Sequence, residues 1–189
     1  AGRQRQMHPT PLATHLAGQG VAVDKVLSVN DPQYVARLRG LGPELIVVVS
    51  FGQILKRDIL ELPPCGCLNV HLSLLPRYRG ASPVAAAILH GDACSGVSFL
   101  RMDRGLDTGP VYESVRLEIG PRETAEELET RLSDLAAARV VDCVWRVCRE
   151  SVVPTVQLEE GRTYAPKLEK RDGDLDWTQP ASVLERRVR

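Results

Sequence analysis

The chain of 189 residues is long enough for one domain with a sizeable core, or for one domain followed by a tail. Its 43% hydrophobic and 25% charged residues are typical of a soluble globular protein. The formal net charge of zero gives no global reason to expect nucleic-acid binding, which would need a local basic patch. No apolar run approaches the length of a membrane span, so we expect no membrane partner.

The five cysteines are odd in number and show no disulfide-framework spacing. Cys65 and Cys67 could indicate a metal site, but no second Cys or His pair stands at zinc-site spacing. The pattern favours free buried thiols in a reducing compartment, and we predict no metal.

The first half of the chain predicts alternating strands and helices. Residues 21–26 are short and β-branched, which predicts a strand. Asp31 followed by proline predicts the start of a helix that ends at Gly40. The apolar run 45–49 predicts a strand covered on both faces, and a short helix is expected at 56–62.

The second half continues the pattern and adds a long amphipathic helix. Strands are predicted at 67–71, 97–102 and 111–119, a helix at 83–90, and a turn at 105–109. Residues 124–127 match a capping box, and we interpret the apolar stripe of the helix that follows as core. A final helix is expected from about Ala181.

Strands alternating with helices predict an α/β fold, an open, mostly parallel Rossmann-like sheet with helices on both faces. Ligands bind such sheets beyond the carboxyl ends of the strands. Residues 50–52 and 69–73 lie at that edge, which predicts a site there.

Asn69 and His71 stand two residues apart on a predicted strand, so they project to one face, while Leu68, Val70 and Leu72 point into the core. A single Asn there could be a cap, and a single His could be a satisfied core residue. Their pairing before a polar turn favours a function, because an amide and an imidazolium can stabilise an oxyanion.

Asp107 lies in a turn flanked by Gly105 and Gly109. It could serve the turn alone, because Asp caps its own backbone well. As a functional group, it would accept a proton from an attacking amine and hold His71 charged. Together with the Asn–His pair, it predicts acyl transfer.

Segment 69–76, Asn-Val-His-Leu-Ser-Leu-Leu-Pro, resembles the folate-dependent formyltransferases, whose pattern is Asn-x-His-x-Ser-Leu-Leu-Pro with a downstream Asp. Segments 77–83, 102–109 and 164–168 are similar to those of the family members that formylate initiator methionyl-tRNA. The resemblance implies transfer of a formyl group from 10-formyltetrahydrofolate to methionine on initiator tRNA. It also implies a monomer in the cytoplasm or the mitochondrial matrix.

The resemblance further implies roles for individual residues. Asn69, His71 and Asp107 match the family's catalytic residues. The residues that match its folate contacts are Ser73, Leu74, Leu75, Pro76, Gln53, Ile54 and Leu55. Arg3 and Arg5 look like the end of a basic loop that enters the tRNA acceptor stem, and a solvated tail is the alternative for both.

Members of this family begin with a further strand–loop–helix unit and carry a C-terminal β-barrel domain. We therefore expect residues 1–157 to form a catalytic domain without its first strand–helix unit, and residues 158–189 to form a tail and linker toward the barrel. Position 72 carries Leu where the family has a small residue, and we expect an effect on local packing rather than on chemistry.

Other functions use the same residue types. The acceptor could be the amine of a sugar nucleotide or a purine precursor, or water in a formyl-folate hydrolase. A third possibility is a fragment that binds folate without transfer. Segment 164–168 and Arg3 favour the tRNA substrate.

Overall fold

The computed structural model describes residues 10–189, so Arg3 and Arg5 lie outside the described residues. The helices are α1 (Pro11–Gly18), α2 (Pro32–Leu41), α3 (Arg57–Leu60), α4 (Pro83–His90), α5 (Ala125–Arg149) and α6 (Ala181–Val188). The strands are β1 (Ile46–Val49), β2 (Cys67–His71), β3 (Arg79–Gly80), β4 (Cys94–Arg101), β5 (Val111–Glu118) and β6 (Tyr164–Ala165). No helix of this described part is long and apolar enough to cross a bilayer.

The main sheet has the strand order β1-β2-β4-β5. Strands β1 and β2 run parallel, whereas β4 lies antiparallel to both β2 and β5. Strands β3 and β6 form a separate parallel pair. The predicted α/β class is confirmed, and between residues 10 and 189 the sheet is mixed, with its parallel pair at the β1 side.

The main core lies between this sheet and α5. Leu68 and Val70 of β2 pack in one cluster with Leu128 and Leu132 of α5, and all four are buried. Helix α5 starts at the predicted capping box, in which Thr124 and Glu127 bond reciprocally. The interpretation of its apolar stripe as core is therefore confirmed.

Two local predictions in the first half of the chain are wrong. Residues 21–26 are irregular rather than a strand, because they form no β-ladder with any of the described strands. Helix α2 continues through Gly40 and ends one residue before Gly42, whose φ of 57° is the left-handed conformation that glycine adopts without strain.

Within residues 10–189, strand β1 is covered on one face only, and for this part of the chain the expectation of two covered faces is wrong. Val48 is buried, but the side chains of Val47 and Val49 are 42% and 57% exposed. Apolar composition therefore predicted the strand correctly and its surroundings incorrectly, because burial depends on the elements packed against it.

The segment 158–189 packs on the rest of the structure. Strand β6 pairs with β3, and α6 lies against α4. The backbone N–H of Ala125 donates to the carbonyl of Arg189 at 2.8 Å. The division of the chain at residues 157 and 158 stays a prediction.

All five cysteines are free, and Cys67 and Cys143 are buried. Burial raises the pKa of both buried thiols to about 11, because a thiolate is poorly solvated in an apolar interior. These two thiols are therefore packing groups rather than nucleophiles.

Replacement of Leu132 by Ala tests the importance of the α5 core. Leu132 is fully buried, so Leu132→Ala is expected to lower the free energy of unfolding by about 3 kcal/mol. The control is Val141→Ala on the same helix, where the side chain is 75% exposed and the change should stay within about 0.5 kcal/mol. Equal effects of the two substitutions in denaturant unfolding would contradict this core assignment.

Candidate active site

Strand β2 places Asn69 and His71 on the same face, as predicted, and both reach Asp107. Asn69 Nδ2 donates to Asp107 Oδ1 at 3.1 Å. His71 Nδ1 lies 3.7 Å from Asp107 Oδ2, which is close enough for charge attraction and too far for a hydrogen bond. The structure therefore brings together two side chains of β2 and a third side chain that follows Asn69 by 38 residues in the sequence.

The His71 ring is oriented by a backbone group. Its Nε2 lies 2.8 Å from the carbonyl oxygen of Tyr78. A carbonyl can only accept, so this bond places a hydrogen on Nε2 and leaves Nδ1 facing Asp107. The Tyr78 hydroxyl donates to Asp92 at 2.7 Å, and burial with this bond raises the pKa of Tyr78. Tyr78 thus supports the imidazole from its buried side.

Asp107 is held by two different parts of the chain. Its Oδ1 accepts from Asn69, and its Oδ2 accepts from the backbone N–H of Gly80 at 2.8 Å. The carboxylate therefore joins the end of β2 to β3, with only 13% of its side chain exposed.

Close packing of the turn around Asp107 explains why glycine is needed there. Asp103 Oδ1 accepts from the Gly105 N–H at 2.9 Å and from the Thr108 hydroxyl at 2.7 Å, which closes the turn. A Cβ on Gly109 would lie 1.8 Å from the carbonyl oxygen of Arg101. Only glycine allows the chain to pass this close to β4.

Among residues 10–189, three of the four non-glycine residues with positive φ lie around this site, and the fourth, Ser151, follows α5. Asp107 has a φ of 52°, Tyr78 one of 59° and Ser50 one of 46°. Non-glycine residues in this region cost of order 1–3 kcal/mol each, and they persist where surrounding contacts hold them. Such residues cluster at functional sites, which supports the assignment of this region as the active site.

These residues open onto a cleft of about 640 Å³, within the size range of small-molecule sites. Its polar end contains Asn69, His71 and Asp107. The apolar wall is formed by Val48, Phe51, Ile54, Leu72, Leu100 and Met102. The cleft therefore has room for an apolar or aromatic ligand whose reactive group faces the polar end.

Three of the predicted folate-contacting residues line the cleft. Gln53 uses its side chain on the chain itself, accepting from Val29 N–H at 3.0 Å and donating to the Leu27 carbonyl at 3.3 Å. Ile54 is 81% exposed, and Leu55 is buried beneath it. The bonds of Gln53 to residues 27 and 29 therefore hold this loop in place, and Ile54 is exposed on the cleft side, where a ligand can contact it.

The other four, Ser73, Leu74, Leu75 and Pro76, do not line this cleft. The Ser73 hydroxyl is buried and donates to the Arg77 carbonyl at 2.6 Å. The Leu75 N–H donates to Ser98 Oγ at 3.1 Å. In the structure these residues fix the loop that carries Tyr78, and their contact with folate stays a prediction.

Sequence reasoning missed several groups that hold the site. The Gly80 N–H and the Tyr78 carbonyl are backbone atoms, which no residue type signals. Gln157 also contacts the backbone of Asp107 from 50 residues away. The one signal for it was a polar residue between Val156 and Leu158 in an extended segment.

Comparison with known protein families agrees with the interpretation of the site geometry. Residues 1–144 match the family model described as formyl transferase. The chain belongs to the formyl transferase family.

Two curated relatives cover the whole length of the chain. A methionyl-tRNA formyltransferase of Magnetococcus marinus is 43% identical over 99% of this chain, and one of Xanthomonas campestris pv. campestris is 45% identical over 100%. The chain spans 60% and 62% of these two relatives. Among solved structures, HypX from Aquifex aeolicus in complex with tetrahydrofolic acid has a TM-score of 0.71 at 19% identity. That match covers 83% of this chain and 27% of HypX, and it shows a shared fold.

Gly109→Ala tests the turn that presents Asp107. The added methyl would collide with the Arg101 carbonyl, so the turn has to move, and we expect both unfolding free energy and activity to fall. Gly40→Ala is the control, because a Cβ there meets nothing within 4 Å and alanine favours helix α2. Thermal unfolding of the two variants checks this, and equal melting temperatures would contradict the close approach at Gly109.

Proposed function

We propose that the chain carries the catalytic site of an enzyme that transfers a formyl group from 10-formyltetrahydrofolate to the amino group of methionine on initiator tRNA. The observation that carries the proposal is the convergence of Asn69, His71 and Asp107 at the polar end of one cleft. The two curated relatives, named for this reaction, support the choice of substrate.

The cleft suits a folate as the formyl donor. Its apolar wall can cover an aromatic ring system, and residues 53–55 also line the cleft. HypX, which shares the fold, binds tetrahydrofolic acid, and this supports a folate here. The donor would lie with its formyl carbon toward Asn69 and His71.

Asn69 and His71 would stabilise the charge that develops during attack. When the amine nitrogen adds to the formyl carbon, the carbonyl oxygen becomes negative. The bond to Asp107 uses one hydrogen of Asn69 Nδ2, and its second hydrogen can bond to that oxygen. His71 donates from Nδ1 when it is protonated, because Nε2 is committed to Tyr78. Each donor of this kind contributes about 3–4 kcal/mol to lowering the barrier.

Asp107 would accept the proton from the attacking amine, directly or through water. As the new carbon–nitrogen bond forms, the bond between the formyl carbon and the folate nitrogen breaks. The folate nitrogen takes up a proton, so the products are the formylated amine and tetrahydrofolate. Asp107 Oδ2 also lies 3.7 Å from His71 Nδ1, so the carboxylate that would accept the proton stands beside the imidazole.

The proposal includes initiator methionyl-tRNA as the binding partner. Initiator methionyl-tRNA would approach the open side of the cleft, and Arg3 and Arg5 would contact its phosphates. The predicted monomer and a cytoplasmic location are kept as part of this proposal. Arg3 and Arg5 alone supply little phosphate affinity, so other parts of the protein must contribute to tRNA binding.

Asp107→Asn is the direct test of the mechanism. It keeps the size of the side chain and removes the proton acceptor, so kcat should fall by about 100-fold or more. Folate binding should stay within about twofold, because the cleft wall is unchanged. The control is Asp134→Asn on the exposed face of α5, which should leave kcat unchanged. Near-normal turnover by Asp107→Asn would refute the proposed role.

The identity of the formyl acceptor is tested by measuring transfer to different amines and to water. Purified full-length protein is incubated with 10-formyltetrahydrofolate and charged initiator tRNA, free methionine, a sugar-nucleotide amine, a purine-precursor amine or water alone. We expect formylation of the charged tRNA and a kcat/KM for the other acceptors lower by at least about 1000-fold. A preference for a small amine or for hydrolysis would replace the tRNA proposal with that reaction, and folate binding without transfer would leave only the binding function.

A further inference from the structure

A buried positive charge lies directly behind the active site. Arg79, in β3, is 1% exposed. Its Nε and Nη2 donate to Gln157 Oε1 at 3.1 and 2.8 Å, and its Nη1 lies 3.6 Å from the carboxylate of Glu159. The Glu159 side chain is 65% exposed, so its attraction is screened by solvent, and Gln157 is the nearest acceptor. A buried guanidinium without an acceptor would be strongly unfavourable, which explains why an amide oxygen stands here.

The other end of the same amide holds the turn of the catalytic carboxylate. Gln157 Nε2 donates to the carbonyl of Asp107 at 2.8 Å and to the carbonyl of Gly109 at 2.6 Å. The amide therefore uses both of its hydrogens on the turn and both acceptor positions on Arg79. One side chain thus connects a buried charge to the backbone on either side of Thr108.

These bonds act on a backbone that is strained. Asp107 has a φ of 52°, and its two carboxylate oxygens must reach Asn69 and Gly80 at once. Two bonds from a half-buried amide resist relaxation of this turn toward an unstrained conformation. Arg79 holds Gln157 in place, so the turn of Asp107 is tied through Gln157 to strand β3. The same strand contains Gly80, whose N–H bonds to the Asp107 carboxylate.

We propose that Gln157 is a positioning residue, which, held by Arg79, keeps the Asp107 carboxylate in the geometry required for transfer. The proposal rests on the proposed function, because it assumes that Asp107 acts on the substrate. Gln157 lies beyond residue 144, where the family model match ends.

A purely structural role for Gln157 is the competing explanation. In that case, its task would be to supply an acceptor for the buried Arg79. Gln157→Glu separates the two explanations. The variant keeps the acceptor and strengthens its attraction to Arg79, but it replaces the donor nitrogen with an oxygen that faces two carbonyl oxygens.

The test measures turnover and local protection in the full-length protein. For Gln157→Glu, we expect kcat to fall by about 100-fold, as for a displaced catalytic group, with KM for 10-formyltetrahydrofolate unchanged within about twofold. The Gly80 amide, which donates to Asp107, should exchange its hydrogen at least about tenfold faster, equivalent to about 1.4 kcal/mol of lost protection. Asp107→Ala gives the exchange rate for complete loss of that bond.

Glu159→Gln is the matched control. It changes the charge next to Arg79, two residues further along the same segment, without touching the turn. Turnover and Gly80 exchange should both stay at the wild-type level. A structural role alone would leave both quantities unchanged in Gln157→Glu as well, and that result would overturn the proposal.

One further readout keeps the proposal testable without activity. In the wild-type protein, the side-chain amide hydrogens of Gln157 should exchange more slowly than those of the exposed Gln33, and equal rates would overturn it. This comparison needs no folded variant. An inactive wild-type enzyme would refute the proposed function, whereas unchanged Gly80 exchange in Gln157→Glu would refute the positioning role alone.

Discussion

The carboxylate of Asp107 is the group on which the site depends, because it connects strand β2 to strand β3. One oxygen bonds to Asn69 on β2 and the other to the Gly80 N–H on β3, while His71 faces the same carboxylate. Reaching these partners requires left-handed backbone at a non-glycine residue, which is unfavourable by about 1–3 kcal/mol. The hydrogen bonds that close the turn through Asp103, and the two bonds from Gln157 to its backbone, offset that cost.

Support for the three side chains comes mainly from backbone groups. The Tyr78 carbonyl sets the imidazole, the Gly80 N–H sets the carboxylate, and both belong to the loop and strand that follow β2. That strand is itself paired by β6, at residues 164–165. The late segment of the chain therefore stabilises the candidate site through β3, although it contributes none of the side chains of Asn69, His71 and Asp107.

Local patterns in the sequence predicted what local physics determines. Strand β2, helix α4 and the capping box of α5 occur at the residues predicted for them. Residues 21–26 and the exposed face of β1 were predicted incorrectly, because pairing and burial depend on neighbours distant in sequence. The Asn–His pair could be read from a two-residue spacing. Its contacts with Tyr78 and Gly80 could not, since every residue carries the same backbone groups.

In the proposed mechanism, the groups that would carry out the reaction differ from those that would select the acceptor. Asn69, His71 and Asp107 would act on the formyl carbon, its oxygen and one amine proton, which are the same for any primary amine. Nothing in that set distinguishes methionine on a tRNA from an amino sugar. Selection of the acceptor must therefore come from groups around the mouth of the cleft and from surfaces that contact the rest of the substrate. In general, one fold can serve different substrates when the reacting groups are fixed and the surfaces beyond them vary.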